Sequence, residues 1–137
     1  MLKKINIAVI GATGYTGLDL INLLSKHPKV NIKNLCATKN LGKKIAYFDK
    51  RIKKKLPKIT SINDIDWKKL DLVFLSLPNG EAQKIIKKTY YKFDKLKYID
   101  LSADFRIKNP KIYKKNYGLN HKACLLYTSD AADEHSW

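Results

Sequence analysis

Apolar residues occur in short runs that alternate with amphipathic stretches. Residues 5–10 (INIAVI) form a β-branched run between charged residues and a glycine, which is typical of a strand buried on both faces of a parallel sheet. Leucine and isoleucine then recur at helical spacing over residues 18–24, before Pro28. Residues 30–37 indicate a second strand. Together these elements predict a βαβ unit.

The second half of the chain repeats this alternation. Residues 71–77 (DLVFLSL) predict a buried strand that ends at a Pro-Asn-Gly turn. A lysine-rich amphipathic helix is predicted over residues 81–91, and a further short strand over residues 97–101. The alternation of strands and helices predicts an α/β fold, with an open, mostly parallel sheet and helices on both faces.

Between the two halves, residues 41–58 are rich in lysine and poor in apolar residues. We expect a solvated, loop-rich excursion there, with at most one short edge strand, and the composition leaves partial disorder open.

Composition narrows the possible functions. The 137 residues carry 28 basic and 12 acidic side chains, but only Arg51 and Arg106 are arginines. Because dedicated phosphate and base readers rely on arginine, this lysine excess does not favour nucleic acid as a partner. No run of 18 apolar residues predicts a membrane span, and the two cysteines lack zinc-ligand spacing. We therefore expect a cytoplasmic protein without a metal site or a membrane partner.

The composition changes at residue 124. All 28 basic residues lie in residues 1–123, whereas residues 124–137 contain three acids and no lysine or arginine. The stretch CLLYTSDAADE, at residues 124–134, resembles a translated sequencing-library adaptor, and an acidic surface tail is the alternative. We expect residues 1–123 to form the folded domain and residues 124–137 to be a non-native tail.

The strongest local motif is GATGYTG at residues 11–17, between the first strand and the first helix. Its glycines resemble the G-x-G-x-x-G pattern, in which a tight turn lets the backbone approach a pyrophosphate. N–H groups at the start of the following helix would point at that anion. A glycine-rich turn made only for packing is the alternative. The candidate pyrophosphate-binding residues are Gly11, Thr13, Gly14, Tyr15, Thr16 and Gly17.

The end of the second strand indicates which dinucleotide is bound. NAD sites place an acidic residue there, which accepts the ribose 2′-hydroxyl. Residues 36–40 (CATKN) contain no acid, whereas the hydroxyl of Thr38 and the ammonium of Lys39 suit a 2′-phosphate. The sequence therefore favours NADP over NAD, although Lys39 is also compatible with being one more surface lysine.

Two further loops follow the carboxyl ends of predicted strands, where open α/β sheets bind their ligands. The first supplies the candidates for the nicotinamide side of the cofactor, Leu77, Pro78 and Asn79. The second, DLSADFR at residues 100–106, supplies the candidates for the entrance of a substrate pocket, Ser102, Asp104 and Arg106. An arginine there suits an anionic substrate, and an Asp104–Arg106 pair that only shapes the loop is the alternative.

These motifs together resemble the N-acetyl-gamma-glutamyl-phosphate reductase family of the semialdehyde dehydrogenase superfamily, NADP-dependent enzymes of arginine biosynthesis. The resemblance rests on GATGYTG, on LPNG at residues 77–80 and above all on DLSADFR, and YGL at residues 117–119 is similar to the family's next landmark. Lysine-pathway aminoadipyl-phosphate reductases and aspartate-semialdehyde dehydrogenases are similar enough to remain alternatives. A non-catalytic NADP-binding module is another.

The resemblance implies a Rossmann-type domain and a reductive dephosphorylation of an acyl phosphate. A cysteine thiolate attacks the substrate, phosphate leaves, and hydride from NADPH reduces the thioester to the semialdehyde. The family's cysteine lies in an NPGC segment beyond the YGL landmark, and its histidine base lies in a later domain. Neither is found in this sequence, and Cys36 is expected to be a small buried hydrophobe.

The resemblance also implies which partners to expect. They are a small-molecule acyl phosphate and, for the full-length enzyme, further copies of the same chain. We expect this chain to be an N-terminal fragment that binds NADP(H) but does not turn over.

Overall fold

The computed structural model describes residues 3–78 and 80–102. In chain order they form β1 (Ile5–Ile10), α1 (Tyr15–Ser25), β2 (Val30–Cys36), β3 (Ile59–Thr60), β4 (Leu72–Leu75), α2 (Glu81–Thr89) and β5 (Lys97–Asp100). Single-turn 3-10 helices lie at Ile45–Tyr47, Ile62–Asp64 and Trp67–Lys69. Among the described residues, no helix combines the length and the apolar character needed to span a bilayer.

The five strands form one sheet in the order β3-β2-β1-β4-β5. The pairings of β1 with β2, β1 with β4 and β2 with β3 are all parallel. The strand order runs outward from β1 in both directions, which is the order of a doubly wound dinucleotide-binding sheet. The predicted open parallel sheet is thereby confirmed.

The central strand β1 is buried because neighbouring strands flank it on both edges. Ile7, Ala8 and Val9 are fully buried, as expected for a β-branched run inside a parallel sheet. The carboxyl ends of three strands are in register, since Ile10 pairs with Cys36 of β2 and with Leu75 of β4. The segments that follow these strands therefore leave the sheet at the same edge.

The lysine-rich segment at residues 41–58 is loop-rich, as expected, but it also contributes two residues to the core. Ile45 and Ile52 are buried in the same apolar cluster as Val9 and Ile21. They recur with half-buried Phe48 at intervals of three and four residues, so one side of the segment covers the core while its lysines face water. The short edge strand β3 begins only after the segment ends.

The chain divides into two compact units. Among the described residues, the first unit includes 3–76 and Lys95–Ile99 and contains nearly all of the sheet. The second includes residues 77–94, without residue 79, and residues 100–102. Within the second unit, α2 begins after Gly80, whose φ of 92° is in the left-handed region that favours glycine. The helix ends at Thr89, two residues earlier than predicted, with basic residues in its last turn that complement the helix dipole.

Candidate functional site

A tight turn connects β1 to α1. The N–H groups of Gly11 and Ala12 both donate to the carbonyl oxygen of Cys36, the last residue of β2, at 2.9 and 3.0 Å. Gly11 has a φ of 90°, a conformation that costs glycine little and other residues much. The end of β2 thus fixes the place where the chain leaves β1.

The two later glycines of the motif have different surroundings. A Cβ on Gly17 would lie 2.2 Å from the carbonyl oxygen of Gly11 and 3.2 Å from backbone atoms of Ala12, so α1 packs directly against the turn. A Cβ on Gly14 would lie 3.8 Å from Gly11 O, which is an ordinary contact. Gly17 is buried whereas Gly14 is exposed. Gly17 therefore serves packing, and Gly14 leaves an accessible backbone surface.

The first turn of α1 offers hydrogen-bond donors to an anion. Gly14 precedes the helix in an extended conformation, no side chain caps the helix, and no acidic residue lies in its first turn. Gly14 O accepts the N–H of Leu18 at 2.8 Å. The backbone N–H groups of residues 15–17, which precede Leu18 in the first turn, therefore have no acceptor within the helix. Tyr15 and Thr16 are exposed. Backbone donors and the helix dipole at this position fit a pyrophosphate.

The side chains of this loop do not all belong to the cradle. The ring of Tyr15 is 93% exposed, and Thr13 is half-buried. Within the described residues, the anion donors that the turn offers are therefore mainly backbone N–H groups.

The segment that follows β2 is anchored on β3. Ala37 N–H donates to Thr60 O at 3.2 Å and Gly42 N–H donates to Ile59 O at 2.7 Å, while Ile59 N–H donates to Lys43 O at 2.9 Å. Thr38 and Lys39 lie in this loop and are exposed. Both predicted 2′-phosphate ligands are thus accessible at the carboxyl end of β2.

Cys36 is buried, as the sequence predicted. Its Sγ lies 3.7 Å from Thr60 Oγ1. Burial is the main cause that raises the pKa of the thiol to about 11; the hydrogen bond with Thr60 lowers it, and the negative charge of Asp64 raises it further. A thiol with this pKa is almost entirely protonated at neutral pH, so Cys36 is a structural residue and not a nucleophile.

Asp64 is a charged neighbour that the sequence analysis missed. The segment after β2 contains no acid, but the 3-10 helix Ile62–Asp64 follows the adjacent strand β3 and brings this carboxylate near Cys36. Residue spacing gave no signal for it, because β2 and β3 become neighbours only in the folded sheet.

The ion pairs of Arg51 with two carboxylates were also not predicted from the sequence. Arg51 Nη2 lies 2.6 Å from Asp19 Oδ1 of α1 and 2.6 Å from Asp49 Oδ2, and Arg51 Nε also donates to Asp49. Hydrogen bonds from Arg51 hold the pKa of Asp49 below its usual value. Arg51 thus connects the lysine-rich segment to α1. The available signal was the scarcity of arginine, since Arg51 is one of only two arginines in the chain.

The remaining candidates belong to the second unit or lie outside the described residues. Leu77 is half-buried and Pro78 is exposed, and Pro78 O accepts the N–H of Glu81 at 3.2 Å. Ser102 is buried, and its N–H donates to Asp100 Oδ1 at 2.8 Å. The other three candidates, Asn79, Asp104 and Arg106, lie outside the described residues.

Comparison with known sequences identifies the family of this domain. The family described as semialdehyde dehydrogenase, NAD binding domain, matches residues 6–131. An N-acetyl-gamma-glutamyl-phosphate reductase of Ehrlichia canis (strain Jake) is 46% identical over 128 residues, which cover 92% of this chain and 36% of the relative. One of Afipia carboxidovorans is 42% identical over 129 residues, with 92% and 37% covered. The chain thus spans little more than a third of the length of these relatives.

Solved structures with the same fold include aspartate semialdehyde dehydrogenases. Aspartate semialdehyde dehydrogenase with NADP from Candida albicans has a TM-score of 0.58 and 25% identity. The match covers 80% of this chain and 32% of the solved chain. Aspartate semialdehyde dehydrogenase II from Vibrio cholerae has a TM-score of 0.59 at 22% identity, with 76% and 32% covered, which bears on the fold alone.

Proposed function

Because the chain belongs to the family of semialdehyde dehydrogenase NAD-binding domains, we propose that it is the NADP-binding part of an N-acetyl-gamma-glutamyl-phosphate reductase. The whole enzyme reduces N-acetyl-gamma-glutamyl phosphate with NADPH to the semialdehyde and releases phosphate. The 46% identity to a relative of that name supports the substrate. The single observation that carries cofactor binding is the loop in which Gly17 packs α1 against the turn while Gly14 stays exposed at the helix start.

Each part of the cofactor has its own candidate residues. Backbone N–H groups at the start of α1 bind the pyrophosphate, from the loop formed by Gly11, Thr13, Gly14, Tyr15, Thr16 and Gly17. The hydroxyl of Thr38 and the ammonium of Lys39 bind the 2′-phosphate, which distinguishes NADP from NAD. The nicotinamide side is assigned to Leu77, Pro78 and Asn79. The entrance of the substrate pocket is assigned to Ser102, Asp104 and Arg106.

When bound, NADPH supplies the hydride for the reduction. The chain's contribution is to bind and orient the cofactor, since the protonated thiol of Cys36 is unsuited to attack an acyl phosphate. Residues 1–123 are proposed as the binding domain and residues 124–137 as a non-native tail. We expect the 137-residue chain by itself to bind NADPH without catalysing the reaction.

Titration of the chain with NADPH, followed by cofactor fluorescence, tests the binding. Gly14→Val should abolish binding, because its side chain would occupy the exposed surface where the pyrophosphate lies. The fold should survive, because a Cβ at residue 14 would lie 3.8 Å from Gly11 O, which is an ordinary contact. Leu23→Val, at an exposed position near the other end of α1, is the control and should bind like the unmodified chain. Unchanged NADPH affinity in Gly14→Val would refute the assignment of the loop.

A chimera tests the reaction. Residues 1–123 would replace the matching part of the Ehrlichia canis relative, and NADPH oxidation would be followed with N-acetyl-gamma-glutamyl phosphate and with aspartyl phosphate. We expect turnover with the first substrate only. A chimera that binds NADPH but prefers aspartyl phosphate would support the aspartate-semialdehyde alternative, and one that binds NADPH without turnover would support a non-catalytic module.

A further inference from the structure

The loop after β2 is held at both of its ends. Ala37 contacts Thr60 on the edge of β3 that faces β2, whereas Gly42 and Lys43 contact Ile59 on the opposite edge. Because adjacent strands lie about 4.8 Å apart, the two sides of the loop are about 10 Å apart. Lysine side chains from the loop can span that gap and converge on one phosphate. Asn40, with a φ of 63°, makes the reversal between the two sides.

Lys43 differs from an ordinary surface lysine. Its Nζ lies 4.8 Å from the centroid of the Tyr47 ring, within the range of a cation–π interaction. The Tyr47 ring packs edge-on against Phe48 at 5.2 Å, and Phe48 contacts the apolar core. Lys43 and Tyr47 are both exposed, so the ring favours this place for the ammonium without fixing it. Ordering the ammonium on binding an anion then costs less entropy than ordering a lysine with no such contact.

A negative charge lies near the end of β2. Asp64 is close enough for its negative charge to act on the thiol of Cys36, the last residue of β2. A 2′-phosphate bound after β2 would meet the same repulsion. Lys39 and Lys43 are both exposed, so the attraction of either one alone for the phosphate is weakened by water and salt.

We propose that Lys43, held by the ring of Tyr47, is a second specificity-determining cation for the 2′-phosphate of NADP(H). Lys39 and Lys43 then contact one phosphate from the same loop, and together they outweigh the carboxylate of Asp64. Tyr47 is a positioning residue that does not itself contact the phosphate. This inference rests on the proposed function.

Parallel titrations of the 137-residue chain with NADPH and NADH test the inference. Lys43→Ala should raise the Kd for NADPH about fivefold to tenfold, as expected for one lost charge-assisted contact, and leave the Kd for NADH unchanged. Lys53→Ala removes the same charge from an exposed position in the lysine-rich segment. It should leave the NADPH-to-NADH affinity ratio as it is.

Two variants of Tyr47 test positioning separately from charge. Tyr47→Leu keeps Lys43 but removes the ring, and should raise the Kd for NADPH about twofold to threefold. Tyr47→Phe keeps the ring and should restore the affinity of the unmodified chain. If Tyr47→Leu also binds NADPH normally, the ring has no positioning role and that part of the inference is wrong.

The outcomes separate this inference from the proposed function. If the unmodified chain binds neither dinucleotide, the proposed function fails and the inference fails with it. If it binds both equally, the preference for NADP and the inference are overturned together. If it prefers NADPH and Lys43→Ala keeps that preference, or loses no more of it than Lys53→Ala, the inference alone is overturned.

Discussion

Replacing Gly17 by alanine tests the close packing that shapes the dinucleotide loop. The new Cβ would lie 2.2 Å from the carbonyl oxygen of Gly11, a separation that real Cβ atoms do not show. To reach even 3.0 Å, helix and turn must separate by roughly 0.8 Å. The obstructing atom belongs to the backbone, and the Gly11 turn is itself anchored by two hydrogen bonds to Cys36 O. The strain therefore cannot be relieved by a side-chain rotation.

The expected loss of stability follows from two opposing effects. Overpacking costs typically 1–3 kcal/mol, and the upper end of that range, about 3 kcal/mol, applies because the backbone must move. Alanine inside a helix is favoured over glycine by about 1 kcal/mol. The net loss in the free energy of unfolding for Gly17→Ala is therefore about 2 kcal/mol.

Urea unfolding followed by far-UV circular dichroism measures this loss, with Gly14→Ala as the matched control in the same loop. At Gly14 the added Cβ makes an ordinary contact at 3.8 Å. The control should lose only about 0.5 kcal/mol, because alanine is a poorer helix N-cap than glycine. If Gly17→Ala is as stable as Gly14→Ala or more stable, the contact between α1 and the turn is not as close as described, and the reasoning is refuted.

The remaining predictions concern two sites with titratable groups, Cys36 and the Arg51 ion pairs. In a Cys124→Ala variant, Cys36 is the one remaining cysteine, and burial raises its pKa to about 11. It should therefore react slowly with a thiol reagent at pH 8 in the folded chain and rapidly in urea. Rapid labelling of the folded chain would contradict this. The native thiol ionises after the unfolded one, so stability should fall as pH rises from about 9 to 11, and Cys36→Ala should remove this dependence. Arg51→Met should lower the Tm more than Asp19→Asn, since Arg51 holds two carboxylates, and equal Tm values would contradict it. Because Arg51 lowers the pKa of Asp49 in the folded chain, the ionised carboxylate of Asp49 stabilises the fold above about pH 4. This stabilisation is lost as the pH falls through the folded pKa of Asp49. Arg51→Met should therefore make stability less sensitive to acid.

The sequence by itself determined the local elements and the place of the glycine motif. Most of the run at Ile5–Ile10, from Ile7 onward, is buried in the sheet as its composition predicts, and the glycine motif lies between β1 and α1. These features depend on residues close together in the chain, where hydrophobic period and glycine conformations act directly. The helix in the second half, Glu81–Thr89, also followed from its pattern, with only its last turn shortened.

Only the tertiary structure decided which residues from different elements meet. Asp64 acts on Cys36 because β3 lies beside β2, and Arg51 reaches Asp19 because the lysine-rich segment packs on the α1 side of the core. The same packing gives Gly14 and Gly17 different roles within one motif. A hydrophobic pattern shows which face of an element is buried, but the order of strands and the path of a long connection determine what that face contacts.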